Sequence, residues 1–278
     1  MANAKREAIA PTSGYATAQC RIATNTGWVA TSQAGIVGNK RFAVLDHAYL
    51  TLIATSLYAC PMSWANGDIA ASKQHLRALS KGRRAALDER RRADYSQLIV
   101  ERLLIAPQMR TVNSVMAYCS FGDELDTSAL LSGLLASGKT LLLPRMESER
   151  AGRHADATDK QEHSFLQPYK VVDLENDLQT GMWGIRQPMP DRCPRFEADA
   201  IELIIMPGLA FTPQGDRLGY GRGYYDRLLS TIPAKKRPWL IAGAFETQIF
   251  ASIPVERHDQ HVHCIATEKR QLYCDQEL

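Results

Sequence analysis

Ser114-Val115-Met116-Ala117-Tyr118-Cys119, then Thr127-Ser128-Ala129-Leu130-Leu131-Ser132-Gly133-Leu134-Leu135-Ala136, then Thr140-Leu141-Leu142-Leu143-Pro144 read as strand, helix and strand. The first and third runs are short and continuously apolar, as expected of strands covered on both faces. Gly122 turns the chain between the first two, and Gly138 stops the helix. A crossover of about a dozen residues between two buried strands is long enough to make them parallel neighbours. The same alternation continues downstream. Ile201 to Met206 reads as a core strand ending at Pro207-Gly208, and a glycine-rich loop spans Gly215 to Gly223. A helix over Tyr224 to Ser230, a strand over Trp239 to Ala244, a helix near Thr247 and a strand over Val262 to Ala266 follow. The expectation is an α/β domain of three layers, a mostly parallel sheet with helices on both faces.

Upstream, Lys73-Gln74-His75-Leu76-Arg77-Ala78-Leu79 favours helix, and a second helix is expected over Glu89 to Ile105. Tyr95, Leu98, Ile99, Arg102 and Leu103 are spaced there for one buried face, and Pro107 is expected to end it. The runs Arg83-Arg84 and Arg90-Arg91-Arg92 are interleaved with Asp88, Glu89 and Asp94, which reads as a solvated helix surface. Glu147 to Gln161 is polar and reads as weakly structured.

Composition is that of an ordinary globular chain: 278 residues, 45% hydrophobic and 23% charged, which excludes collagen, coiled coil and wholesale disorder. The net charge of +3 is too small to argue for a nucleic-acid partner. All of it sits in residues 1–61, where Lys5, Arg6, Arg21, Lys40 and Arg41 face only Glu7 and Asp46; the remainder is neutral. Residues 1–38 show no sustained apolar period. The apolar run from Phe42 to Cys60 is interrupted by Asp46 and His47, leaving it shorter than the ~20 residues a membrane span needs. Residues 1–71 are therefore expected to be an extension, with Met62 an alternative start, and residues 72–278 one domain. The six cysteines are widely spaced with no Cys-x-x-Cys pair, as in reduced thiols of a cytoplasmic protein.

The most informative loop is Pro207-Gly208-Leu209-Ala210-Phe211-Thr212-Pro213-Gln214-Gly215-Asp216-Arg217-Leu218-Gly219-Tyr220-Gly221-Arg222-Gly223-Tyr224-Tyr225-Asp226-Arg227. It leaves a strand and opens a helix, and Gly219, Gly221 and Gly223 leave backbone N–H groups free to approach an anion. Arg217 and Arg222 add fork-shaped donors. Gly-x-Gly-x-Gly is neither the dinucleotide fingerprint nor the Walker loop, so a tight connection and a phosphate cradle both stay open. Asp226 suits either an oxygen ligand for magnesium or a helix cap. At the other end, His261 and His263 would share one face of a strand and with Asp259 could contribute to a zinc site, although no third protein ligand beyond the histidines and that carboxylate is evident.

These segments closely resemble the 5-formyltetrahydrofolate cyclo-ligase family over roughly residues 73–268: Pro-Gly-Leu-Ala-Phe from Pro207, then Arg217-Leu218-Gly219-Tyr220-Gly221-x-Gly223-Tyr224-Tyr225-Asp226-Arg227. Lys73-x-x-Leu76-Arg77, Phe121-Gly122-Asp123-Glu124-Leu125-Asp126-Thr127, Leu143-Pro144-Arg145 and Gly181-Met182-Trp183-Gly184-Ile185-Arg186-Gln187-Pro188 resemble its other landmarks, in order. The resemblance implies ATP- and magnesium-dependent closure of 5-formyltetrahydrofolate to 5,10-methenyltetrahydrofolate. It implies that Lys73, Leu76, Arg77 and the loop from Arg217 through Tyr225 contact ATP, with Arg217, Arg222 and Asp226 acting at the transferred phosphoryl group. Cys119, Glu124, Trp183 and Tyr220 would meet the folate, and Asp226 with Asp259 would hold magnesium. It further implies small-molecule substrates, no nucleic acid, no membrane and a monomer. Two departures stand out: Gln187 occupies a position where the family usually has Glu, and Arg222 one where many members have Gly or Lys. A degenerate member that binds nucleotide or RNA without turnover is the other reading. A basic face with aromatic platforms, which RNA would ask for, is not evident.

Overall fold

The computed structural model describes residues 18–23, 29–37, 40–42, 68–149 and 163–274. The chain divides into two units, Met1–Cys60 and Pro61–Leu278. In the first, β1 (Ala18–Ala23), β2 (Val29–Val37) and β3 (Lys40–Phe42) form an antiparallel sheet in that order. The remainder of the apolar run to Cys60 and most of the polar stretch to Gln161 lie outside the described residues.

The second unit opens with α1 (Ile69–Ala85), whose cap Asp68 accepts from the Ala70 amide, and α2 (Glu89–Ile105), capped by Asp88. Each carboxylate takes up an amide that the first helical turn leaves unpaired. Ala106 is extended, as a residue before proline prefers to be. Pro107 does more than end α2: it is the first residue of a short helix, α3 (Pro107–Thr111), where its missing N–H costs nothing. Then come β4 (Ser114–Met116), α4 (Ser128–Ala136), β5 (Thr140–Glu149), β6 (His163–Val171), β7 (Leu178–Thr180), β8 (Arg186–Pro188) and β9 (Leu203–Ile205). A two-residue pair, β10 (Ala210–Phe211) and β11 (Arg217–Leu218), brackets the start of the glycine loop. After it come α5 (Tyr224–Ser230), β12 (Trp239–Gly243), β13 (Cys264–Ala266) and β14 (Gln271–Tyr273).

Seven strands form the central sheet in the order β14-β13-β12-β9-β4-β5-β6. The five inner strands are parallel, and β14 and β6 close the two edges antiparallel. Alternate side chains feed two separate cores, the mark of a sheet covered on both faces. Val115, Leu203, Ile205 and Ile241 pack with Ile99 and Leu103 of α2 and with Leu130 and Leu134 of α4. Met116, Ile204, Leu240 and Ala242 pack on the other face with Leu228 and Leu229 of α5. The face expected of α2 is corrected in one place: Ile99 and Leu103 are buried, but Leu98 is exposed, and Ser96 and Val100 are buried instead. Among the described residues no helix is long and apolar enough to cross a membrane.

Candidate active site

Three elements converge at the carboxyl ends of the parallel strands: one face of α1, the turn after β4, and the loop from β11 into α5. Lys73, Leu76, Ser80 and Arg84 recur on α1 at helical spacing and are all buried, so that one polar-edged face looks inward. Arg84 is only 4% exposed, which corrects its reading as part of a solvated surface. Lys73 and Arg84 are eleven residues apart, about three turns of a helix, so both lie on the same face, toward opposite ends of α1.

The glycine loop borders a cleft of about 560 Å³. Lys73, Arg77, Asp226, Asp259 and the whole run Arg217 to Tyr225 line it, so the expected phosphate-binding residues come together with one exception. Leu76 does not line the cleft; it packs beneath it with Ala210, Leu218 and Ile253. Gly221 has φ of 96°, and a Cβ there would sit 3.1 Å from the guanidinium carbon of Arg77. Glycine is favoured there by the backbone, and any larger residue would also have to push the Arg77 guanidinium aside. Arg77 Nε donates to the Gly219 carbonyl at 3.0 Å, and its two terminal nitrogens have no hydrogen bond among the described residues. Arg217 donates to Asp226 at 2.7 Å and to the Pro207 carbonyl at 3.3 Å. Its buried Nε has no hydrogen-bond partner among the described residues. Gly223, at φ of 63°, caps α5 without any side-chain hydrogen bond, so Asp226 in the first turn does not serve as a cap. Arg222 is exposed at the cleft wall.

Lys73 Nζ bridges Glu256 at 2.7 Å and Asp259 at 2.5 Å. Burial pushes the Asp259 carboxyl up, but the hydrogen bond and charge of Lys73, the Glu256 amide and the charge of His258 together outweigh it and hold the group below the usual carboxylate range. Asp259 uses Oδ2 for Lys73 and the Glu256 amide, while the nearest partner of Oδ1 is His258 at 3.9 Å. Asp226 uses Oδ1 for Arg217 and leaves Oδ2 without a hydrogen bond among the described residues. Asp226 and Asp259 both line the cleft and each keeps a carboxylate oxygen, the ligand type magnesium takes, so the donor chemistry fits that ion. The group of ligand atoms that lies closest together among the described residues is Glu256, His258 and Asp259, without Asp226. Glu256, which the sequence did not point to, has its carboxylate within 4.8 Å of ligand atoms on His258 and Asp259. The zinc arrangement does not assemble. His261 lies at 3.2 Å from Asp216, His263 Nδ1 accepts from the Leu240 amide, and neither is in a strand.

A second cleft, of about 850 Å³, holds all four residues expected at the folate: Cys119, Glu124, Trp183 and Tyr220. Glu124 is buried; burial raises its carboxyl above the usual range, against the lowering effect of a hydrogen bond from the Tyr220 hydroxyl and the charge of Arg84. Burial likewise pushes the Cys119 thiol up to about 11, so it is protonated at neutral pH and no nucleophile. Trp183 is 57% exposed and has φ of 59°, the single non-glycine positive φ among the described residues. A left-handed tryptophan is strained, and strain of this kind concentrates where a side chain must be aimed. Gln187 packs its side-chain amide over Gly181, where an added Cβ would come within 2.3 Å of it and displace that side chain. The two clefts share Pro207, Tyr220, Arg222, Tyr224 and Tyr225.

A protein-family model described as the 5-formyltetrahydrofolate cyclo-ligase family matches residues 69–268. The chain is 30% identical to the 5-formyltetrahydrofolate cyclo-ligase of Mus musculus, over 69% of this chain and 91% of that protein. It is 27% identical to the 5-formyltetrahydrofolate cyclo-ligase of Escherichia coli K12, over 68% of this chain and 96% of that protein. The solution structure of 5,10-methenyltetrahydrofolate synthetase from Aquifex aeolicus superposes with a TM-score of 0.60 at 27% identity, covering 74% of this chain and 94% of that one. The corresponding Mycoplasma pneumoniae synthetase, at 17% identity and a TM-score of 0.52, shares the fold.

Proposed function

The chain belongs to the 5-formyltetrahydrofolate cyclo-ligase family and is an ATP- and magnesium-dependent cyclo-ligase, and from that premise we propose that its two joined clefts hold ATP and 5-formyltetrahydrofolate so that the reacting groups meet at their common wall. The observation that carries this is the shared boundary of Pro207, Tyr220, Arg222, Tyr224 and Tyr225, with cations and glycine N–H groups on one side and Glu124 and Trp183 on the other.

In this reading the formyl oxygen attacks the terminal phosphorus of ATP and ADP departs. The N10 nitrogen then attacks the activated carbon and loses its proton, and phosphate leaves with the C–O electron pair, giving the methenyl ring. Phosphoryl transfer of this kind rests on positioning and charge neutralisation and needs no protein nucleophile, consistent with the protonated Cys119 thiol. Arg77 fixes the loop through the Gly219 carbonyl and turns its terminal nitrogens to phosphate oxygens. Lys73 keeps one of its three N–H donors for a phosphate while the other two hold Glu256 and Asp259. Arg217, held by Asp226, and the exposed Arg222 face the transferred group. Magnesium, held by Asp226 and Asp259, would supply further neutralisation of phosphate charge. Glu124 accepts from N–H groups of the pterin, and Trp183 stacks on its plane. The free thiols of Cys119, Cys193 and Cys264 suit a reducing, cytoplasmic setting, which fractionation of the native host tests; recovery from an oxidising compartment would overturn it.

The purified chain with ATP, magnesium and 5-formyltetrahydrofolate is expected to develop the near-ultraviolet absorbance of the methenyl product. A folded chain that binds ATP and forms no product would mark it as a binding module instead.

A further inference from the structure

Tyr220 stands between two glycines of the phosphate-facing loop, yet its hydroxyl reaches the other cleft. There it donates to Glu124 Oε1 and accepts from Arg84 at 3.1 Å. Arg84 also donates to Asp123 at 2.7 Å and lies 3.9 Å from Glu124. One buried guanidinium therefore grips the substrate turn through Asp123 and the glycine loop through Tyr220. Its Nε is buried without a hydrogen-bond partner among the described residues, so the side chain is held by these contacts in spite of that donor. Glu124 depends on the same grip: it accepts hydrogen bonds from the Tyr220 hydroxyl and from the Phe121 amide at 3.3 Å, its only ones among the described residues, and Arg84 adds its charge from 3.9 Å. Gly219 and Gly221 bring no side chains to anchor the loop, which leaves the Tyr220 hydroxyl as its tie to the substrate turn. The Phe121 ring, centred 5.9 Å from that of Tyr220, and Lys81, 5.7 Å from the Tyr220 ring, flank it without fixing the hydroxyl.

Resting on the cyclo-ligase reading, we propose that Arg84 is a positioning residue which, through Tyr220 and Glu124, couples the phosphate cleft to the folate cleft, so that each ligand tightens the binding of the other. Phosphates seated on the loop N–H groups fix Tyr220; Tyr220 fixes the Glu124 carboxylate; and the ordering cost met by the first ligand is not met again by the second. By linkage the effect is reciprocal.

Calorimetry on the full chain tests this, titrating 5-formyltetrahydrofolate with and without a non-hydrolysable ATP analogue and magnesium. The wild type is expected to bind the folate about fivefold or more tightly with the analogue present. Arg84→Met and Tyr220→Phe should each bring that ratio to within about twofold of unity, and the double variant should lower it no further, as for members of one network. Thermal unfolding checks the fold of each variant, and if Arg84→Met does not fold, Tyr220→Phe, which removes a single hydroxyl, carries the test. A ratio that persists in Tyr220→Phe overturns the proposal, as does a wild type that binds both ligands independently. A folded wild type that binds neither ligand overturns the cyclo-ligase reading, and the coupling with it.

Discussion

Asp226 pairs with Arg217 and, in the proposed function, also holds a cation, and two substitutions separate the two roles. Asp226→Ala removes the carboxylate that receives the buried Arg217 guanidinium at 2.7 Å, leaving that charge with one long bond to the Pro207 carbonyl and an Nε that already lacks a hydrogen-bond partner among the described residues. Removing one member of a buried pair costs about 3–5 kcal/mol. The Asp226 side chain is 20% exposed, so water reaches it and the low end, about 3 kcal/mol, applies. At about 2–4 °C per kcal/mol for a domain of this size, the melting temperature should fall by about 6–12 °C. Asp226→Asn keeps an oxygen for Arg217 but offers no charge to a cation. Its cost is that of weakening one hydrogen bond, about 1 kcal/mol or about 2–4 °C. Methenyl formation should fall in both by about 100-fold or more, because neither variant offers the carboxylate that would hold the cation neutralising the transferring phosphoryl group. Scanning fluorimetry and the absorbance assay at saturating magnesium read the two effects separately. Asp226→Asn retaining activity within about threefold would refute the cation-binding role. Equal melting temperatures for the two variants would refute the claim that the ion pair holds Arg217 in place.

The sheet was legible where it is buried on both faces. Val115, Leu142, Ile204 and Ile241 sit in runs that are apolar without alternation, and β4, β9, β12 and β13 all fall within the segments expected. Strand β5 starts where expected but runs past Pro144 to Glu149, into the stretch from Glu147 read as weakly structured, because its polar end pairs with β6. Helix α2 was legible to the residue, Glu89–Ile105, because Asp88 and Pro107 punctuate both ends. Strands made by distant pairing were not. Arg217-Leu218 is a strand only because Ala210-Phe211 lies opposite, and β6 reads as mixed polar sequence because it is an edge paired on one side to β5. The glycine loop announced the phosphate cleft because its ligating groups are contiguous. Arg84 was hidden for the opposite reason: Asp88, Glu89 and Asp94 nearby suggest solvent, whereas its actual partners Asp123 and Tyr220 come from two other elements. The strain at Trp183 had no sequence signal beyond the following Gly184, since nothing local demands a left-handed tryptophan.

Trp183→Gly should relieve that strain, leaving the melting temperature unchanged or slightly raised, while the KM for 5-formyltetrahydrofolate rises about tenfold, the loss of one stacking contact; an unchanged KM would remove Trp183 from the substrate site. Leu130→Ala, at a fully buried position between α2 and the sheet, should cost about 2–5 kcal/mol, read as a lower urea midpoint with an unchanged slope, and a loss below about 1 kcal/mol would contradict the packing described. Cys119 in the native chain should alkylate slowly at pH 8 and faster as the pH climbs toward its thiol value of about 11, and rapid labelling at pH 8 would show the cleft more open than described. Lys73→Met tests the second ion pair through its pH dependence. Because Lys73 lowers the Asp259 carboxyl despite burial, the pair stabilises the fold above the ordinary carboxylate pKa and loses that effect as the pH falls through the lowered one. The stability gap between wild type and Lys73→Met should therefore be full at neutral pH and close below about pH 4, the ordinary value for an aspartate. A gap that widens in acid would mean that Lys73 acts on stability by some route other than its carboxylates.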